Sequence, residues 1–124
     1  MNKEAKTILY KFIKFIEKEL NIKSKYTIKL GVTREDFSTN AFYNDSQKLV
    51  AVYVKDRALA DILRSFAHEF VHMKQHEDGT IKGEIQDVGG PEENEANAKG
   101  GALIKQFGYD IKNKEKIDIY QPWE

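Results

Sequence analysis

The chain has 124 residues, of which 40% are hydrophobic and 32% charged, with lysine plus arginine balancing aspartate plus glutamate at 20 each. This length supports one domain over 1–124 with a modest core, and the zero net charge offers no field to hold nucleic acid or an anionic membrane. The absence of cysteine removes disulfides, thiolate zinc sites and a cysteine nucleophile. Arginine occurs only at 34, 57 and 64, which weakens a nucleic-acid reading further, because bidentate phosphate and guanine recognition favours it. Charges run through the N-terminal segment and no stretch approaches membrane-spanning length, so the expected location is cytoplasmic.

In residues 3–20, Ile8, Phe12, Phe15, Ile16 and Leu20 recur at helical spacing against a lysine- and glutamate-rich face, which predicts an amphipathic helix packed on a core. Residues 26–32 alternate and are rich in β-formers, so they read as a strand. Residues 40–43 and 49–54 are a second and third strand joined by the turn-prone Asn44-Asp45-Ser46-Gln47. A helix follows over about 57–77, with Asp56 as its expected N-cap and Asp78-Gly79 as its end. Residues 80–90 form a polar connector with room for a short fourth strand. Pro91 then suits the first turn of a last helix that Gly108 is expected to close, leaving 109–124 as a tail. The order implies an α+β domain with a small, mostly antiparallel sheet of three to four strands.

Residues 68–72 read His-Glu-Phe-Val-His. On a helix, Leu59, Ile62, Leu63, Phe66, Phe70 and Met73 form the core stripe, while His68 and His72 fall on the opposite face with Asp61, Ser65 and Gln75. The i, i+4 spacing stacks both imidazoles one turn apart, close enough to share a tetrahedral ion. Glu69, offset by one residue, can reach water beside that ion without ligating it. Two nitrogen ligands, an open position and a carboxylate base are what a hydrolytic Zn2+ site requires.

Such a site needs a third ligand. His76 lies two helical turns from His68, about 12 Å along the axis, too far to share one ion on an unbroken helix. No histidine follows it, which leaves the carboxylates Glu84, Asp87, Glu92, Glu93 and Glu95. Acids in the first turn of a helix are favoured by its dipole, which accounts for Glu92 and Glu93 without a ligand role. Glu95 sits deeper and shares a face with Ala98 and Ala102, so it is the expected ligand, with Glu92 next. Gly100 and Gly101 each cost roughly 1 kcal/mol in a helix interior, and a close approach to the first helix is a reason to keep them.

"HEFVH" followed by "NEANA" resembles the gluzincin class of zinc peptidases, and the short form is most similar to the ImmA/IrrE family of bacterial and phage metallopeptidases. The likeness spans roughly residues 57–107, with Lys99 standing where that family usually has an aromatic. It implies a zincin-like fold, Zn2+ held by His68, His72 and Glu95, Glu69 as general base, and Asn97 as a supporting residue. The expected activity is hydrolysis of a peptide or protein substrate, with the oxyanion donor drawn from His76, Tyr43 and Tyr109. An edge strand, either 40–43 or 49–54, can hold the substrate as an added strand.

Overall fold

The computed structural model describes residues 1–35, 37–80 and 90–122. Its elements are α1 (Lys3–Leu20), β1 (Thr27–Gly31), β2 (Ala41–Asn44), β3 (Leu49–Tyr53), α2 (Leu59–Glu77) and α3 (Pro91–Glu115). The α+β class is as expected. No described helix is long and apolar enough to cross a membrane.

Helix α1 starts where Asn2 Oδ1 accepts the Ala5 N–H at 2.8 Å, and stops where Asn21 turns left-handed at φ 53°. It buries Ala5, Ile8, Leu9, Phe12, Ile13 and Ile16, and Phe12 meets Phe107 of α3 edge-on with ring centroids 4.9 Å apart. The chain then turns into β1 over an acceptor from a distant helix. The Glu77 carboxylate at the end of α2 takes the Lys23 N–H at 3.1 Å and the Ser24 N–H at 2.9 Å. Burial alone would raise its pKa, but the Ser24 and Lys23 hydrogen bonds outweigh that and hold it below the usual range. Because the folded pKa is depressed, this contribution to stability is full above the unfolded value near pH 4.3 and is lost as pH falls through the folded pKa. Glu77→Gln is therefore expected to destabilise the protein by about 1 kcal/mol at pH 7 and by much less at pH 3, as read by urea denaturation at both.

The sheet corrects the antiparallel expectation. Its three strands are ordered β1-β3-β2, with β3 parallel to β1 and antiparallel to β2. β2 and β3 form the expected hairpin, while the segment from Val32 to Asn40 carries the chain across so that β1 pairs with β3 in the same direction. A hydrophobic strand pattern reports which face is buried, not which neighbour is paired, so this arrangement left no mark in the periodicity. Residues 80–90 were expected to hold a connector and a fourth strand; 81–89 lie outside the described residues.

The inner face of the sheet carries Ile28, Leu30, Val50, Val52, Ala41 and Tyr43 against the helices. On the outer face Phe37 folds down beside Phe42 and Tyr53. Gly31 makes room for it, since a Cβ there would lie 2.1 Å from Phe37 Cε2.

Two helix ends differ from expectation. Asp56 does not cap α2; it takes a left-handed turn at φ 57°, and the helix begins after Ala58 with no side-chain cap. Helix α3 runs through Gly108 to Glu115. Gly108 is retained for packing: a Cβ would stand 3.1 Å from Ile119 Cδ1, where the tail folds back over the helix. Helix α2 itself is buried on most sides, with α1 and the sheet against its apolar stripe and α3 across its polar one.

Candidate metal centre

Helix α2 presents His68 and His72 to α3, and the two Nε2 atoms stand 3.1 Å apart. Glu93, in the first turn of α3, reaches both: Oε1 lies 2.6 Å from His68 Nε2 and Oε2 lies 3.1 Å from His72 Nε2. Among the described residues, His68, His72 and Glu93 are the group able to hold a metal ion, and their ligand atoms all lie within 4.8 Å of one another. Three donors about 2.0–2.1 Å from one tetrahedral ion would be about 3.3 Å apart, so the triangle is close to the size zinc needs.

The hydrogen bonds around the triangle fix its protons. The Gln75 side-chain N–H2 donates to the Glu92 carbonyl at 2.9 Å and to Glu95 Oε1 at 2.7 Å. Its amide oxygen therefore faces His72 Nδ1, 2.8 Å away, and accepts the proton there. With its Nδ1 proton directed to Gln75, His72 turns Nε2 into the triangle. Asn97 hydrogen-bonds His68, whose pKa is lowered by burial, with Glu93 partly offsetting it. A carboxylate and a nitrogen lone pair thus face one another over about 3 Å, and one His68 proton cannot satisfy them all. The donor set fits a divalent cation.

Glu69 is buried, with 8% of its surface exposed. Burial first, and the Glu93 charge second, push its carboxyl up to about 8. A cation beside it would draw that value back down. His68 and His72 thus meet Glu93 where α2 and α3 come together, and Glu69 lies close enough to feel the Glu93 charge.

The expected third ligand needs correction. Glu95 is not in the triangle; it turns away to Gln75 and to Lys99 Nζ, 3.2 Å distant, and these two contacts hold its pKa down. Glu92 meets the site through its carbonyl only. Glu84 and Asp87 lie outside the described residues. A signal for Glu93 was present in the sequence. The buried stripe of α3, Ile111, Phe107, Ile104 and Gly100, steps back by threes and fours to Ala96 and then Glu93. Glu95 falls about 200° from Glu93 around the helix. Gln75, three residues after His72, was also readable from the helical face but was not assigned a role.

The small residues that bring α3 close act unequally. A Cβ on Gly100 would lie 3.3 Å from the His68 backbone nitrogen, whereas one on Gly101 would meet nothing within 4 Å. The close approach is therefore to α2 at His68, not to α1, and Gly100 alone requires it. Gly101→Ala is expected to raise stability by up to about 1 kcal/mol with zinc affinity unchanged. Gly100→Val should push α3 outward and weaken zinc binding about 10–100-fold, both read by zinc titration and thermal melting.

Of the residues expected near an oxyanion, Tyr109 is ruled out. It is 71% exposed and sixteen residues along α3 from Glu93, about 24 Å by helical rise. Tyr43 and His76 stand together near the end of β2, ring centroids 5.5 Å apart, and both turn to Asp45: the Tyr43 hydroxyl donates to Oδ1 at 2.7 Å, and His76 Nδ1 is 3.6 Å from Oδ2. Burial and the Asp45 carboxylate raise the Tyr43 pKa, so its phenol stays protonated.

No family model, curated protein or solved structure matches this chain.

Proposed function

We propose that this protein is a zinc-dependent peptidase of the gluzincin kind, similar to the ImmA/IrrE family. The observation that carries the reading is the meeting of His68 Nε2, His72 Nε2 and the Glu93 carboxylate beside a buried Glu69. Zinc held there supplies a Lewis acid for the scissile carbonyl and brings the acidity of water close to neutrality. Gln75 orients the His72 ring through Nδ1, and Asn97 hydrogen-bonds His68. Glu69 takes the proton of the attacking water and passes it to the leaving amine. His76 and Tyr43, which both turn to Asp45, are the remaining candidates to donate to the developing oxyanion.

Substrate access is set by the sheet. β3 is paired on both sides, whereas β2 ends the described sheet next to α2. An extended peptide pairing with β2 would run past the His68–Glu93 contact. The test is zinc-dependent cleavage of a mixed peptide pool, followed by mass spectrometry with and without chelator. Cleavage that stops on chelation and returns with zinc supports the reading.

The burial of Glu69 favours one second reading, a zinc-stabilised binding protein without hydrolysis. Zinc that raises the melting temperature, with no cut in any peptide of the pool, would select it.

A further inference from the structure

The three arginines of the chain, scattered as 34, 57 and 64 in sequence, gather around the N-terminal end of α2, the end away from His76. Arg57, Arg64, Asn40, Asp61 and Ser65 line a polar pocket of about 330 Å³ there. Arg34 closes over the Tyr53 ring at 3.9 Å and donates to Asn40 Oδ1 at 3.1 Å. Arg57 is half-buried and bonded only to neutral acceptors among the described residues: the Tyr53 carbonyl at 2.7 Å, the Asp61 carbonyl at 3.2 Å and Ser65 Oγ at 2.8 Å. Its burial lowers its pKa, an effect that the Asp61 carboxylate opposes in part and the charge of Arg34 reinforces. The described residues set one carboxylate within ion-pair distance of these guanidiniums, Asp61 on Arg64 at 2.6 Å. Among the described residues, three guanidiniums therefore gather with one carboxylate in ion-pair contact. A guanidinium brought part-way out of water beside another is costly to hold without an anion, and its planar fork suits a carboxylate.

The position of the pocket is as telling as its charge. Ser65 precedes His68 by three residues on the same face of α2, one turn from the metal group. Asn40 immediately precedes β2 and bonds the Tyr53 N–H through its carbonyl at 2.8 Å. A strand lying along β2 advances about 3.3 Å per residue, so a side chain one to three residues from the scissile bond arrives at the arginines. We propose that the pocket takes an acidic side chain of the peptide, making Arg57 and Arg64 the residues that set cleavage specificity. This rests on the peptidase reading.

The test uses amidated peptides of about ten residues with one glutamate scanned along the chain, and their glutamine counterparts. Affinity is measured on zinc-loaded Glu69→Gln protein and cleavage on the wild type. Glutamate peptides are expected to bind about tenfold or more tighter, with the wild-type cut at a fixed distance from the glutamate. Arg57→Gln and Arg64→Gln should each erase that preference while binding the glutamine peptides as before. Arg64 is exposed, so it keeps the test open should Arg57→Gln fail to fold. Equal affinity for both peptide sets, or a preference that survives both substitutions, would overturn the pocket even where cleavage proceeds. An arginine-dependent preference with no wild-type cleavage would uphold the pocket and remove the peptidase reading. Binding that requires a free C-terminal carboxylate, or that inorganic phosphate reproduces without a peptide, would also overturn it in favour of another anion source.

Discussion

Glu93→Ala is expected to strip the protein of zinc, while Glu95→Ala keeps about one ion per chain. Glu93 sets one carboxylate oxygen 2.6 Å from the His68 nitrogen and the other 3.1 Å from the His72 nitrogen, whereas Glu95 touches the site only through the Gln75 amide. Losing a ligand atom should lower affinity by more than the roughly 10–100-fold that an outer partner costs. The Glu95→Ala loss should stay within that range, because Gln75 remains fixed by the Glu92 carbonyl and His72. Plasma mass spectrometry on untagged protein, with His72→Ala as the zinc-free reference, separates the two. Zinc kept by Glu93→Ala and lost by Glu95→Ala would show that α3 rotates when metal binds, and the triangle would have to be abandoned as the resting site.

Glu93 and Glu95 differ in how far the sequence alone can place them. The imidazoles could be paired from sequence because both lie on one helix, and the helical repeat fixes their relation whatever surrounds them. The carboxylate lies on another helix, so its choice depends on how α3 is rolled against α2. That roll is set by Gly100 seated on the His68 backbone and by Ile104, Phe107 and Ile111 in the core. Ending the helix at Gly108 cut that stripe short and left Ala98 and Ala102, which are exposed, to suggest the wrong face. The α+β class, the β2–β3 hairpin and the extents of α1 and α2 followed from periodicity and turn chemistry. The parallel β1–β3 pair did not, since both strands would read the same in either direction. The arginine pocket was illegible for a similar reason: its members come from the loop before β2, from the turn that leads into α2 and from α2 itself, and only the fold brings them together.

Glu69→Gln is expected to retain zinc and to lose peptide hydrolysis by about 10²–10⁴-fold in kcat. Glutamine matches the side chain in volume, so the packing around a group with 8% exposure is kept. Neither imidazole depends on Glu69 for its orientation, because Gln75 holds His72 and Asn97 holds His68. What the substitution removes is the carboxylate that can carry a proton from water to the leaving nitrogen. A fall in kcat with KM little changed would place Glu69 in that transfer rather than in binding. Wild-type turnover in the variant would remove Glu69 from the chemistry. Zinc lost together with activity would instead make the carboxylate a structural partner of the triangle, through the electrostatic contact it makes with Glu93. The burial that raises its pKa also shields it from bulk water, so in the proposed peptidase its proton would come from the water that attacks the carbonyl. In the proposed peptidase, a base in that position would act only on the bond presented along β2, which would tie the selectivity of the chemistry to the way the peptide is held.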